Sequence, residues 1–244
     1  MTWHQRTLIG FDTETTGVNP ESDRIVSAAV VEYDGRRPAL TRTWLADPGM
    51  EIPPGATAVH GITTEAARSA GRPAAEVVAE VVAALVEASE DGRPIVVMNA
   101  SFDLTLLECE ARRHGVPSLF STTVPFVLDP RVLDRRVDRF RPGSRRLEEL
   151  CRVYGVTHGG AHDAAADAVA ACAVTESLAY EYPWLAQMSL EGLHDQQIHW
   201  AADQQAGLRE YFASTPGKEW LAASVRTDWP IVPPPVPGFE GWGA

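Results

Sequence analysis

Lysine is almost missing from this sequence. Lys218 is the single one among 244 residues, so nearly every basic side chain is arginine or histidine. A preference that general weakens any inference from an arginine cluster alone. Cysteine is scarce as well: Cys109, Cys151 and Cys172, an odd number at wide spacing, make neither a disulfide framework nor a zinc signature. A reduced, cytoplasmic protein is the expectation. No apolar run approaches the roughly 20 residues of a membrane-spanning helix, because Glu80 and Glu87 cut the longest stretches. The opening Met-Thr-Trp-His-Gln-Arg also lacks the apolar segment of a secretory signal. Positive charge is in deficit overall, at a net −12, which argues against bulk attraction to nucleic acid. Carboxylates gathered to hold cations count against that sum until the cations bind, so the deficit excludes no polyanion by itself.

What is present suits a globular α/β chain, with 45% hydrophobic and 22% charged residues. Residues 7–13, 25–33 and 39–46 read as successive strands joined by the polar turns Asn19–Asp23 and Asp34-Gly35, and such short links suggest antiparallel neighbours. A Pro/Gly-rich loop from Asp47 to Gly55 leads to Val59-His60-Gly61-Ile62-Thr63. Val77, Val81, Ala84, Leu85 and Ala88 lie on one stripe of a helix over 74–89. A buried strand, Ile95–Met98, then turns at Asn99-Ala100-Ser101 into a helix over 102–114 closed by Gly115. A short strand at 126–128, a helix over 146–153 and an Ala-rich helix over 163–180 capped by Asp163 complete a mixed sheet with helices on both faces.

Chemistry concentrates at the end of the first strand. Alternation of side chains puts Asp12 and Glu14 on one face, and two carboxylates that repel each other suit a divalent cation. The pair taken alone favours a solvated strand end, because a D-x-E is expected about once in a chain this long. Asp103 begins the helix after Ile95–Met98. If that strand lies parallel to the first, Asp103 stands at its carboxyl end, where open α/β sheets bind ligands. His162 and Asp167 are five apart, about 140° on a continuous helix, so His162 belongs to a loop hinged at Gly159-Gly160 and Asp167 to the first turn of the helix. Asp167 stands among alanines with no Lys or Arg four residues away, as if a close-packed face released a single carboxylate. His158 is read as an ordinary loop histidine.

Phe-Asp-Thr-Glu-Thr-Thr-Gly (11–17), Asn-Ala-Ser-Phe-Asp (99–103) and His-x-x-x-x-Asp (162–167) resemble, in order, the three motifs of the DEDDh 3′–5′ exonucleases, and Val-His-Gly-Ile-Thr (59–63) is similar to a segment of their polymerase III epsilon-like branch. The likeness covers about residues 6–182. It implies a ribonuclease H-like fold, with Asp12, Glu14, Asp103 and Asp167 as metal-binding acids and His162 as general base. The residues support this chemistry independently. Four carboxylates balance two divalent cations, oxygen ligands select Mg²⁺ or Mn²⁺, and an imidazole can take a water's proton near neutral pH. For substrate contacts the resemblance suggests the backbone at Thr15, Thr16 and Gly17, with His60, Asn99 and Phe102 nearby.

Seven arginines between Arg131 and Arg146, among them Arg139 and Arg141, form either a phosphate-binding patch or a solvated face. The expected substrate is a single-stranded 3′ end, DNA ahead of RNA; a non-catalytic adaptor keeping the fold is the alternative from another class. The division expected is an exonuclease domain over 1–183 and an extension over 184–244, helical over 188–212 and extended at Trp229–Pro237. Five of seven tryptophans (Trp184, Trp200, Trp220, Trp229, Trp242) fall in that extension, which implies that it packs on its own domain, on a second copy, or on a polymerase or repair partner. No membrane is among the expected partners.

Overall fold

The computed structural model describes residues 2–35 and 38–233. The chain opens with β1 (Leu8–Thr15), β2 (Ile25–Tyr33) and β3 (Pro38–Asp47), followed by the short helices α1 (Pro54–His60) and α2 (Thr64–Ala70). β4 (Arg72–Pro73) leads into α3 (Ala74–Glu90), then β5 (Ile95–Val96), α4 (Ala100–His114), α5 (Leu119–Thr122) and β6 (Val127–Leu128). α6 (Pro130–Val137), α7 (Leu147–Tyr154), α8 (Ala164–Glu181), α9 (Pro183–Gln187), α10 (Leu190–Ser214) and α11 (Glu219–Ala222) follow. The strands lie in the order β4-β3-β2-β1-β5-β6. β1 pairs antiparallel with β2 and parallel with β5, so the first strand occupies the middle of a mixed sheet flanked by helices. None of these helices is long and apolar enough to cross a membrane.

Position in the sheet follows from burial. β1 is shielded along nearly its whole length, as a central strand covered on both faces must be. Gly10, Asp12 and Glu14 share one of those faces. A Cβ at Gly10 would lie 2.6 Å from the Ala168 carbonyl oxygen, so only glycine lets α8 settle this close to β1. The alanines of α8 serve the same approach, with Ala164, Ala168 and Ala171 all buried. This close packing carries Asp167, one residue before Ala168, over the acidic end of β1.

Two stretches read as loop or charged face are helical. Pro54 stands in the first turn of α1, where its missing N–H costs nothing. Asp129 caps α6, accepting from the Arg131 N–H at 2.9 Å, with Pro130 in the first turn. The Asp-Pro pair was the legible signal for this helix; the surrounding arginines obscured it.

The extension packs on the same core as the rest. Leu193, Trp200, Ala201 and Trp229 belong to the main buried cluster, so no break in packing falls at residue 183. The buried Gln197 works along the sheet's edge: its Oε1 accepts from the Asp129 N–H at 2.8 Å and its Nε2 donates to the Val127 carbonyl at 3.0 Å. The Val127 N–H donates to His194 Nδ1 at 3.0 Å. Side chains of α10 thus satisfy backbone groups that a further strand would otherwise pair. Trp184 and Trp220 remain 43% and 73% exposed. Residues 229–233 run without regular structure as expected, while Pro234–Pro237 and Trp242 lie outside the described residues.

Candidate active site

Four carboxylates from three elements converge beyond the carboxyl ends of β1 and β5. Asp12 and Glu14 come from β1, Asp103 from the first turn of α4 and Asp167 from the first turn of α8. Burial pushes the Asp12 carboxyl well above the usual range, and repulsion from Asp103, Asp167, Glu14 and Asp163 pushes it the same way. Glu14, 8% exposed, is pushed up to about 7 by burial and then by Asp167, Asp103 and Asp163. Asp103, 5% exposed, also rises to about 7 through burial, although the Thr13 hydroxyl donates to its Oδ1 at 2.5 Å and pulls the other way. Asp167 is raised by burial, against the pull of His158. Carboxylates that hold one another partly protonated form a site short of positive charge.

The loop before α8 closes over this cluster. His162 is exposed and takes a left-handed backbone conformation, φ 63°, from which its N–H donates to Asp167 Oδ2 at 3.3 Å. One ligand atom each from Glu14, His162 and Asp167 lie within 4.8 Å of one another. His158 overturns its reading as an ordinary loop residue, because its Nε2 meets Asp167 Oδ1 at 2.7 Å. Eight residues of chain lie between the two, and only the fold of the loop joins them. Asp163 caps α8 through the Ala166 N–H at 3.0 Å and adds its charge to the cluster.

The residues expected to touch substrate divide. His60 belongs here: its ring lies beside the Thr15 backbone, and His162 is near enough to disfavour its protonation, which burial opposes first. Its Nδ1 accepts from the Ile62 N–H at 3.1 Å, which leaves the proton of the neutral ring on Nε2. The Thr16 amide, in contrast, donates to the Arg24 carbonyl at 3.0 Å and its hydroxyl to Asp23 at 3.0 Å, so Thr16 is held within its own turn. Thr15 Oγ1 donates to the Gly17 carbonyl at 2.6 Å, and a Cβ at Gly17 would lie 2.5 Å from Asp23. This turn is built for close packing, and of its parts only the Thr15 backbone is seen against another site residue. Phe102 is half-buried beside Asp103. Asn99, left-handed at φ 61°, accepts through Oδ1 from Arg131 at 2.5 Å.

The arginine run divides likewise. Arg141 is anchored through one nitrogen: its Nη2 donates to the fully buried Asp134 at 2.8 Å, a carboxylate that Arg145 and the Tyr154 hydroxyl also hold at 2.8 Å each. In this structure Arg141 is held in an ion pair, away from the acid cluster's cavity. Arg139 is exposed and lies over the Phe140 ring at 5.6 Å. The arginines beside the acid cluster are instead Arg131, Arg145 and Arg146, which line a cavity of about 530 Å³ together with Asn99, His158, His162 and Asp167.

The donor set fits hard divalent cations. It is all oxygen from the four acids, with imidazole at the margin, and the acids' raised protonation marks a site whose charge balance lacks cations.

Comparison with known proteins agrees with this architecture. An exonuclease family model, RNase_T, matches residues 9–175. A DNA polymerase III subunit epsilon-like protein of Rhodobacter capsulatus is 43% identical over 104 residues, which is 41% of this chain and 14% of that protein. Escherichia coli Exonuclease I in complex with a dT13 oligonucleotide has a similar fold, with TM-score 0.62 and 24% identity, over 74% of this chain and 42% of that one. Exonuclease X in complex with 5′ overhanging duplex DNA matches at TM-score 0.56 and 23% identity, over 78% of this chain and 99% of that one. The chain therefore spans less than half the length of Exonuclease I and a small part of the epsilon-like relative. The family match runs from β1 into α8, across all three acid-bearing elements, and the chain belongs to the DEDDh exonuclease family.

Proposed function

We propose that this protein is a metal-dependent 3′–5′ exonuclease that hydrolyses the terminal phosphodiester of single strands and releases nucleoside monophosphates. The observation that carries the reading is the convergence of Asp12, Glu14, Asp103 and Asp167 beneath a loop bearing His162. Mg²⁺ or Mn²⁺ held by these four acids would supply charge stabilisation to the attacked phosphate and its leaving oxygen. Each of the chain's own groups has a task beside that. Thr13 fixes the Asp103 carboxylate through its hydroxyl, and His158 fixes that of Asp167. His162 accepts the proton of the attacking water, and its exposed position gives the ring access to that water. His60, beside Thr15 and facing His162, would border the terminal nucleotide.

DNA is the favoured substrate. The epsilon-like relative and the two exonucleases with bound DNA point that way, although the structural likenesses support the fold alone. The test uses matched DNA and RNA single strands, labelled at the 5′ end in one set and at the 3′ end in the other, with Mn²⁺. The 5′-labelled DNA should give a ladder that shortens one nucleotide at a time, and the 3′ label should appear at once as mononucleotide. A 5′ label released first would reverse the direction, faster loss of RNA would change the substrate, and intact strands throughout would leave only an adaptor.

A further inference from the structure

We propose that the strand upstream of the cleaved end lies on a track of arginines along α6, with α10 of the C-terminal extension as its opposite wall. This rests on the nucleic-acid reading above and says how more than the last nucleotide is held. Arg131 and Arg135 are four residues apart on α6, which places them on one face, and Arg139 follows just past the end of that helix and lines the same depression as Arg135. Like charges at that spacing weaken a helix, so the arrangement has a structural cost that a polyanion would relieve.

The guanidiniums are true neighbours. Burial, and then repulsion from Arg145, Arg131 and Arg139, makes Arg135 easier to deprotonate than an ordinary arginine. Among the described residues, Arg141 and Arg145 pair with carboxylates while Arg131, Arg135, Arg136, Arg139 and Arg146 form no ion pair. Elsewhere on this acidic chain arginines largely face carboxylates, as Arg42, Arg72, Arg93 and Arg152 do.

The cavities join in sequence. Asn99 and Arg131 line both the 530 Å³ cavity at the acid cluster and a small groove between α6 and α10. Arg135 and Gln204 line that groove and also the next depression, which Arg136, Arg139 and Trp200 complete. Asp203 on α10 and Asp228, in the segment after α11, also line these depressions, while their arginines come from α6 and the residues just after it. Beyond it Phe140, 87% exposed beneath Arg139, offers a flat face on which a base can stack. A run of guanidiniums outside ion pairs, with an exposed ring at its end, suits the phosphates and bases of a single strand of either sugar.

The test is binding without turnover, by fluorescence anisotropy in EDTA, with deoxythymidine strands of three and twelve nucleotides. Arg135→Gln combined with Arg139→Gln should weaken the twelve-mer about tenfold and leave the three-mer within about twofold. It should also reduce the salt slope for the twelve-mer by about 1.4, two contacts at roughly 0.7 each. Equal weakening of both lengths, or an unchanged twelve-mer, overturns the track. Should melting show that this variant does not fold, Arg136→Gln with Arg139→Gln carries the same prediction on exposed positions of the second depression. An inactive protein that still loses the twelve-mer selectively would refute the nuclease reading and leave the track standing.

Discussion

At the scale of single residues, the site turns on which histidine does what. His162 projects from a left-handed turn into solvent, whereas His158 is tucked against Asp167, so the two should fail differently when removed. For His162→Ala we expect turnover to fall by about 10²- to 10⁴-fold, the usual worth of a positioned base. Mn²⁺ affinity measured calorimetrically should stay within about threefold. A loss of affinity as deep as that of Asp12→Ala would make His162 a ligand, which its closeness to Glu14 and Asp167 permits geometrically. For His158→Ala the expected loss is about 10- to 100-fold in metal affinity or rate, the ordinary cost of freeing a carboxylate from the group that orients it. Tighter Mn²⁺ binding in that variant would show His158 to be a competitor for Asp167. The acids and His162 were legible because three short motifs that carry them stand in the order the family resemblance requires. His158 was not, because the loop from Gly159 to Asp163 has no period and only its folded turn returns the ring to Asp167.

At the scale of elements, two packing devices hold the site in place. Gly10 lets α8 press on β1, and Asp134 anchors the segment after α6 by gathering Arg141, Arg145 and Tyr154. Arg141→Ala should therefore destabilise the protein by about 3 kcal/mol, the low end for breaking a buried pair because Arg145 keeps part of it. Denaturant unfolding would read this as a lower midpoint at unchanged slope, with the affinity for strands altered little if the variant stays folded. A clear loss of strand binding at full stability would restore Arg141 to the substrate interface. The first three antiparallel strands and the large helices were readable from alternation and helical stripes, whereas the full strand order and the parallel β1–β5 pair came from the fold. α1 and α6 were harder: one is seven residues long in a Pro/Gly stretch, and the other carries charge that outweighs its apolar pattern. Burial of Asp134, which decides the fate of Arg141, comes from contacts between separate elements that no local window contains.

At the scale of the whole molecule, the extension and the charge balance matter most. Leu185, Leu193, Trp200, Ala201 and Trp229 of the extension belong to the core, so no gap in packing falls near residue 183, and the family match ends earlier, at residue 175. The acid cluster couples stability to pH. Glu14 and Asp103 titrate near 7 when folded without metal and near 4 when unfolded, so the folded chain holds the extra protons between those values. Stability from these groups is complete below about pH 4 and is lost as pH rises through about 7. Scanning calorimetry should therefore find Glu14→Gln more thermostable than the unmodified protein at pH 8 in EDTA, with the gap closing toward pH 5. Mn²⁺ should raise the unmodified protein's melting temperature more at pH 8 than at pH 5, because cation and proton compete for the same oxygens. Equal Mn²⁺ shifts at both values would place its binding elsewhere.

The most direct measurement is release of nucleoside monophosphate from a DNA single strand with Mn²⁺, by the unmodified protein and by Asp12→Asn purified in parallel. Steady release by the first, with a loss of at least about 10³-fold in the second, is the result that four converging carboxylates predict. Equal rates from both preparations, or no release by either, would contradict it.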